Sequence, residues 1–147
     1  MNTPVSALVE RKGSAVFSVP PTFTIAEAVH EMNEHRVGCV LVMDGGRLIG
    51  IFTERDVLRR VVGAGVDPKA GRVADVMSRN VFTITPSTTM EETMVLFAER
   101  RCRHIPVVQD GRLAGLISIG DSSRWMADSS KAEAEHLKSY IAGVFPS

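Results

Sequence analysis

The sequence predicts an α/β module made of two repeated strand-helix-strand-strand-helix units packed as a pseudo-twofold pair. Three observations lead there. Residues 17–57 align with residues 82–122 without a gap at a constant offset of 65 (82 − 17). Within each copy, one stretch carries apolar residues at helical spacing and is followed by two short apolar runs about a turn. A chain of 147 residues with 44% hydrophobic content is enough for one core, while either half alone exposes too much surface for its volume to be stable.

The aligned identities are mostly turn, cap and polar residues rather than interchangeable apolar ones. Phe17 falls on Phe82, Pro21 on Pro86, Thr24 on Thr89, Glu27 on Glu92 and Arg36 on Arg101. Gly46, Arg47, Leu48, Gly50 and Asp56 fall on Gly111, Arg112, Leu113, Gly115 and Asp121.

The elements follow in order. Residues 1–15 form an N-terminal helical segment, with a short apolar helix over 5–9 started by Thr3-Pro4. The first unit spans 16–62. A strand over 16–19 stops at Pro20-Pro21, and a helix begins at Thr24, where Thr24-Ile25-Ala26-Glu27 has the capping-box pattern. Ile25, Val29 and Met32 give that helix one apolar face. Strands over 40–43 and 48–52 flank the turn Asp44-Gly45-Gly46, and a second helix starts near Glu54 with Val57, Leu58 and Val61 apolar.

Residues 63–80 are a linker, rich in glycine from Gly63 to Gly71, ending in a short helix over 73–77. The second unit, 81–127, repeats the first. It has a strand over 81–84, a helix capped by Thr89 and Glu92, strands over 105–108 and 113–117 about Asp110-Gly111, and a helix from near Ile119 carrying Trp125 and Met126. In the tail, 128–147, Ala134, Leu137 and Ile141 share one side of a further helix.

Composition excludes several classes of function. With 17 basic and 17 acidic side chains the formal charge is zero, so no overall field draws the chain to nucleic acid or an anionic membrane. Only 5% of residues are aromatic, which also argues against a stacking platform for bases. No run approaches the roughly 18 apolar residues of a membrane span. Cys39 and Cys102 lack paired spacing and four histidines are scattered, so the expectation is reduced core cysteines, no metal site and a cytoplasmic location.

Enzyme signals fail one by one. Gly63-Ala64-Gly65-Val66-Asp67-Pro68 opens like a dinucleotide fingerprint, but proline replaces the third glycine and a helix precedes it. There is no P-loop and no nucleophile elbow. No nucleophile, base and orienting group assemble, so the chain is expected not to be an enzyme.

One pattern does carry binding chemistry. Each copy has a glycine, two apolar residues and then Ser/Thr-x-x-Asp at a strand-to-helix junction, in Gly50-Ile51-Phe52-Thr53-Glu54-Arg55-Asp56 and Gly115-Leu116-Ile117-Ser118-Ile119-Gly120-Asp121. The hydroxyls of Thr53 and Ser118, with the free amides at the helix start, suit a phosphate. Asp56 and Asp121 are placed to accept hydrogen bonds from both hydroxyls of a ribose. Read as local structure only, the same residues cap their helices and complement the helix dipole. Arg55, Arg59, Arg60 and Arg124 supply nearby positive charge.

With Arg101-Cys102-Arg103-His104-Ile105-Pro106-Val107-Val108 added, the pattern resembles the CBS-domain family, and the paired copies resemble its tandem Bateman module. The resemblance covers nearly the whole chain; it extends to the tail, which is similar to the closing helix of stand-alone bacterial and plant-organelle members. It implies a regulatory module binding an adenosine nucleotide (AMP, ADP, ATP, NAD(H) or S-adenosylmethionine) in clefts between the repeats, with no required cofactor. It further implies a homodimer that signals to a regulated protein partner through a conformational shift. On this resemblance Asp56 and Asp121 hold ribose, and Thr53, Arg55, Ser118, Arg103, His104 and Arg124 lie near phosphate. Val19, Pro20, Cys39, Ile84, Thr85, Ile105 and Pro106 frame adenine. The first copy departs from the pattern at Leu41, which stands where the second has Pro106. The alternative is a ligand-free dimerisation or docking scaffold of the same fold.

Overall fold

The computed structural model describes residues 3–13 and 16–144, the side chains of 139–144 excepted. The repeat survives in three dimensions almost residue for residue. Helix α1 (Val5–Lys12) comes first, then strand β1 (Ser18–Val19), helix α2 (Ile25–His35), and the hairpin β2 (Cys39–Asp44) and β3 (Arg47–Thr53). A single helical turn α3 (Glu54–Asp56) leads into a π-helical stretch over Val57–Val62. Helix α4 (Val73–Val76) belongs to the linker. The second copy consists of α5 (Met90–Arg100), the hairpin β4 (His104–Gln109) and β5 (Arg112–Ser118), and α6 (Ile119–Val144).

Local chemistry explains the match. Thr24 accepts from the Glu27 amide while Glu27 reaches back to the Thr24 amide, closing the expected capping box. Thr89 accepts from the Glu92 amide in the same way, although no return bond from Glu92 accompanies it. Both helices stop at an arginine in the left-handed conformation, Arg36 at φ 53° and Arg101 at φ 50°. Both hairpins turn through two residues with positive φ, Gly45-Gly46 and Asp110-Gly111, as type I′ geometry requires. The two ladders share their register: Cys39 faces Thr53 as His104 faces Ser118, and each ladder slips once, between Val42/Met43 and Val107/Val108.

Three expectations are corrected. The first strand of each copy is shorter than predicted: β1 pairs only Ser18 and Val19, in parallel with Leu41 and Val42, and residues 81–84 contribute a single bridge from Ile84 to Val107. Proline is the physical reason on one side, since Pro20-Pro21 and Pro86 close each ladder by removing donors. The helix near Glu54 is not a regular α-helix beyond Asp56, because the Gly63 amide donates to Leu58 O and the Val66 amide to Val61 O, both five residues back. A Cβ at Gly63 would lie 2.9 Å from the carbonyl oxygens of Leu58 and Arg59, so this tightly approached turn uses glycine. The tail is not a separate helix. α6 runs unbroken to Val144, since residues 121–142 contain neither glycine nor proline.

Three apolar clusters hold the fold together. The first copy packs Val19, Ile25, Met32, Val40, Val42 and Phe52 with Val73, Val76 and Met77 of the linker. The second packs Ile84, Met90, Phe97, Ile105, Ile117 and Trp125 with Val5 and Leu8 of α1. Cys39, Leu41 and Ile51 join the copies through Val81, Leu113 and Leu116. The helices are therefore exchanged: the segment ahead of the first copy closes the core of the second, and the linker closes the core of the first. Backbone bonds fix the exchange, from the Met90 amide to Thr3 O at 2.8 Å and from the Ile25 amide to Gly71 O at 3.0 Å.

Candidate functional site

Because the two copies meet through Cys39, Leu41 and Ile51, the ends of β3 and β4 come together and leave a cavity of about 1030 Å³ between the repeats. The first copy contributes Gly38, Ile51 and Thr53 through Asp56. The linker contributes Ser78 and Asn80, followed by Val81 and Phe82, and the second copy contributes the run from Glu99 to His104. This volume is sufficient for a nucleotide-sized ligand.

Asp56 lies at the base of the cavity, 5% exposed. Its carboxylate accepts from the Thr53 amide at 3.0 Å and from Ser78 Oγ at 3.1 Å, while Arg60 Nε stands off at 3.7 Å. Thr53 Oγ1 accepts in turn from the Asp56 amide. The cap fixes the carboxylate, and both Thr53 and Asp56 line the cavity.

The rim is basic. Arg55, Arg59, Arg100, Arg101 and Arg103 line the cavity with His104, against Glu54, Asp56 and Glu99. Arg55 donates to Arg101 O at 3.2 Å, tying the copies across the opening, and the Arg100 guanidinium stacks 3.8 Å over the Phe82 ring. His104 is held below its ordinary pKa by burial, partly opposed by the carboxylates of Glu54 and Asp121. It sits close to Gly38, where a Cβ would run into Glu54 Oε1 and come within 3.5 Å of His104 Cε1. Burial pushes the Cys39 thiol up to about 12 and raises that of Cys102 as well, so neither is a thiolate nucleophile at neutral pH.

The second motif is built alike but occupied differently. Asp121, 7% exposed, accepts from the Ser118 amide at 2.8 Å, and Ser118 Oγ accepts from the Asp121 amide. Its two oxygens also take Lys12 Nζ at 2.6 Å and Arg124 Nη2 at 2.7 Å. Burial acts to raise the Asp121 pKa, but the Lys12 and Ser118 hydrogen bonds outweigh it and hold the group below its ordinary value.

The structure therefore brings Thr53, Arg55, Asp56, Arg103 and His104 to one cavity, and places Ser118, Asp121 and Arg124 together at the other motif, outside that cavity's lining. It does not bring the seven expected adenine-framing residues to the cavity. Val19, Ile84, Ile105 and Pro106 are buried, the first three within the two cores, and Cys39 packs between the copies. Pro20 and Thr85 are exposed, with Thr85 engaged by Ser87 and Thr88. Apolar contact in the cavity comes instead from Ile51, Leu58, Val81, Phe82 and Cys102.

Ser78 and Lys12 escape sequence reasoning because they precede their repeats and reach the carboxylates only through the helix exchange. Arg100 and Arg101 were readable, since the run Arg100-Arg101-Cys102-Arg103-His104 holds four basic residues in five. Among the described residues no group of three or more His, Cys, Asp or Glu is placed to hold a metal ion, and no helix is long and apolar enough to cross a membrane.

A duplicated α/β unit with paired Ser/Thr-x-x-Asp junctions defines a class of regulatory modules. The chain belongs to the CBS domain family, which it matches over residues 5–63 and 73–121. It is 38% identical over 127 residues to the mitochondrial CBS domain-containing protein CBSX3 of Arabidopsis thaliana, covering 83% of this chain but only 62% of that relative's length. The structure of the CBS-domain containing protein ATU1752 from Agrobacterium tumefaciens superposes with a TM-score of 0.80 at 39% identity, covering 84% of this chain and 99% of that one. A CBS domain protein from Pyrobaculum aerophilum, solved in complex with AMP, superposes with a TM-score of 0.72 at 26% identity, over 80% and 88% of the two chains.

Proposed function

We propose that this chain is a regulatory sensor that binds an adenosine nucleotide in the Asp56 cavity and signals the ligand's presence to a protein partner by shifting the arrangement of its two repeats. The observation that carries this reading is the buried Asp56 carboxylate beneath a cavity of about 1030 Å³ rimmed by five arginines. A carboxylate at the base suits a ribose diol, and the guanidinium rim suits phosphate oxygens. The AMP complex of the Pyrobaculum relative supports the ligand class. The rim charge favours ADP or ATP over AMP, and over NAD(H) or S-adenosylmethionine. Because the cavity is walled by both repeats, a ligand bound more tightly in one arrangement of them biases the surface offered to a partner.

A homodimer belongs to the same reading. Leu58 and Val62 are 66% and 70% exposed on the π-helical stretch, beside an apolar groove lined by Ile25, Val29, Val57 and Val61, a surface suited to a second copy. Two free cysteines, one of them buried, fit a cytoplasmic protein kept reduced. A thermal-shift panel of AMP, ADP, ATP, NAD(H) and S-adenosylmethionine tests the reading. A rise in melting temperature with ATP or ADP is expected, because a ligand that binds only the folded state stabilises it. No shift with any of the five at millimolar concentration favours the ligand-free scaffold.

A further inference from the structure

The two Ser/Thr-x-x-Asp motifs share the same pair of cap hydrogen bonds, yet their carboxylates have different partners. Asp56 meets the neutral hydroxyl of Ser78 and a guanidinium at 3.7 Å, contacts that a ribose diol can replace or share. Asp121 is gripped by two cations at hydrogen-bond distance, Lys12 at 2.6 Å and Arg124 at 2.7 Å, one on each oxygen. Lys12 is also fixed from its other side. Its ammonium donates to Leu116 O at 2.8 Å, and its helix is anchored by Val5 and Leu8 in the second core, with Val9 packed against Gly115. The side chain of Arg124 is 74% exposed and free to swing away, whereas that of Lys12 is 31% exposed.

We propose that Lys12 is a built-in occupant of the second ribose position, so that each chain takes one adenosine nucleotide, at Asp56, rather than two. The inference rests on the proposed nucleotide-binding function and adds to it the residue that makes the two clefts unequal. A ribose diol approaching Asp121 must displace a short, charge-assisted hydrogen bond from a cation held on a packed helix. Neutral hydroxyls form weaker bonds to the carboxylate than the ammonium does, so the exchange is unfavourable. At Asp56 the corresponding side-chain contacts are the neutral hydroxyls of Ser78 and Thr53 and the looser Arg60 guanidinium at 3.7 Å, with no cation at hydrogen-bond distance.

The test is calorimetric titration of the full chain and of Lys12→Met with ATP and with AMP. Methionine keeps the apolar stem of the side chain and removes its charge. The wild type is expected to take one nucleotide per chain and Lys12→Met two, and the added site is expected to vanish in Lys12→Met/Asp121→Ala with circular dichroism unchanged. Two sites in the wild type, or a single site in both proteins with Lys12→Met folded, overturns this inference and leaves the function standing. Absence of binding in both proteins at millimolar ligand overturns the two together.

Discussion

Gly115 and Val9 are in close approach: a Cβ built on Gly115 would lie 3.1 Å from both methyl carbons of Val9. The glycine that opens the second Gly-x-x-Ser/Thr-x-x-Asp motif therefore makes room for α1, which arrives from the far end of the chain. Gly50 plays the same part for Met77 of the linker. Gly115→Ala is expected to overpack this contact and lower stability by about 1–2 kcal/mol, toward the low end of the usual range because Val9 is only partly buried. Chemical denaturation measures the loss, and Val9→Ala added to Gly115→Ala should recover part of it. An unchanged midpoint in the single variant would show that α1 is not seated there.

The helix exchange also determines how the chain can be divided. Residues 1–72 contain the whole first unit but lack Val73, Val76 and Met77, which close its core, and they carry α1, whose apolar face belongs to the other half. The fragment is expected to be unstable or to self-associate, without a cooperative thermal transition in circular dichroism. A monomeric fragment that unfolds cooperatively would contradict the paired architecture.

Much of this was readable from the residues because the information was local. The capping box at Thr24 and the two hairpin turns each depend on neighbours a few positions apart, the constant offset of 65 needs only comparison of the chain with itself, and all three appear in the structure. The CBS resemblance rested on the same local patterns. What was not readable depends on partners brought from a distance. Lys12 reaches Asp121 across 109 positions and Ser78 reaches Asp56 across 22, and no periodicity announces either. The π-helical character of the stretch after Asp56 is not legible in the sequence, because the spacing of Val57, Leu58 and Val61 fits an α-helix equally well. Of the residues expected to frame adenine, Val19, Ile84, Ile105 and Cys39 are taken up by core packing, while Pro20 and Thr85 are exposed away from the cavity lining.

Asp121 links the second motif to acid stability. Its folded-state pKa lies below the ordinary carboxylate value, so the unfolded chain takes up the proton first as pH falls. The stabilisation is fully present above the unfolded value of about 3.9 and is lost as pH drops through the folded one. In Lys12→Met the main favourable partner is gone and burial, which acts to raise the pKa, is left less opposed. Acid titration followed by circular dichroism should then show Lys12→Met unfolding at higher pH than the wild type. Coincident acid transitions would mean that the Lys12–Asp121 pair does not persist in solution.

The most direct test of the central claim is calorimetric titration of the full chain with ATP, comparing wild type, Asp56→Asn and Asp121→Asn. Asparagine retains an oxygen for the Thr53 or Ser118 amide, so the caps and the fold are expected to remain, as circular dichroism will check. Replacing a carboxylate that binds two ribose hydroxyls is worth about 1.5–3 kcal/mol, roughly one to two decades of affinity. Asp56→Asn is expected to show that loss and Asp121→Asn to bind ATP as the wild type does. Wild-type affinity in a folded Asp56→Asn would contradict the assignment of Asp56 as the ribose ligand.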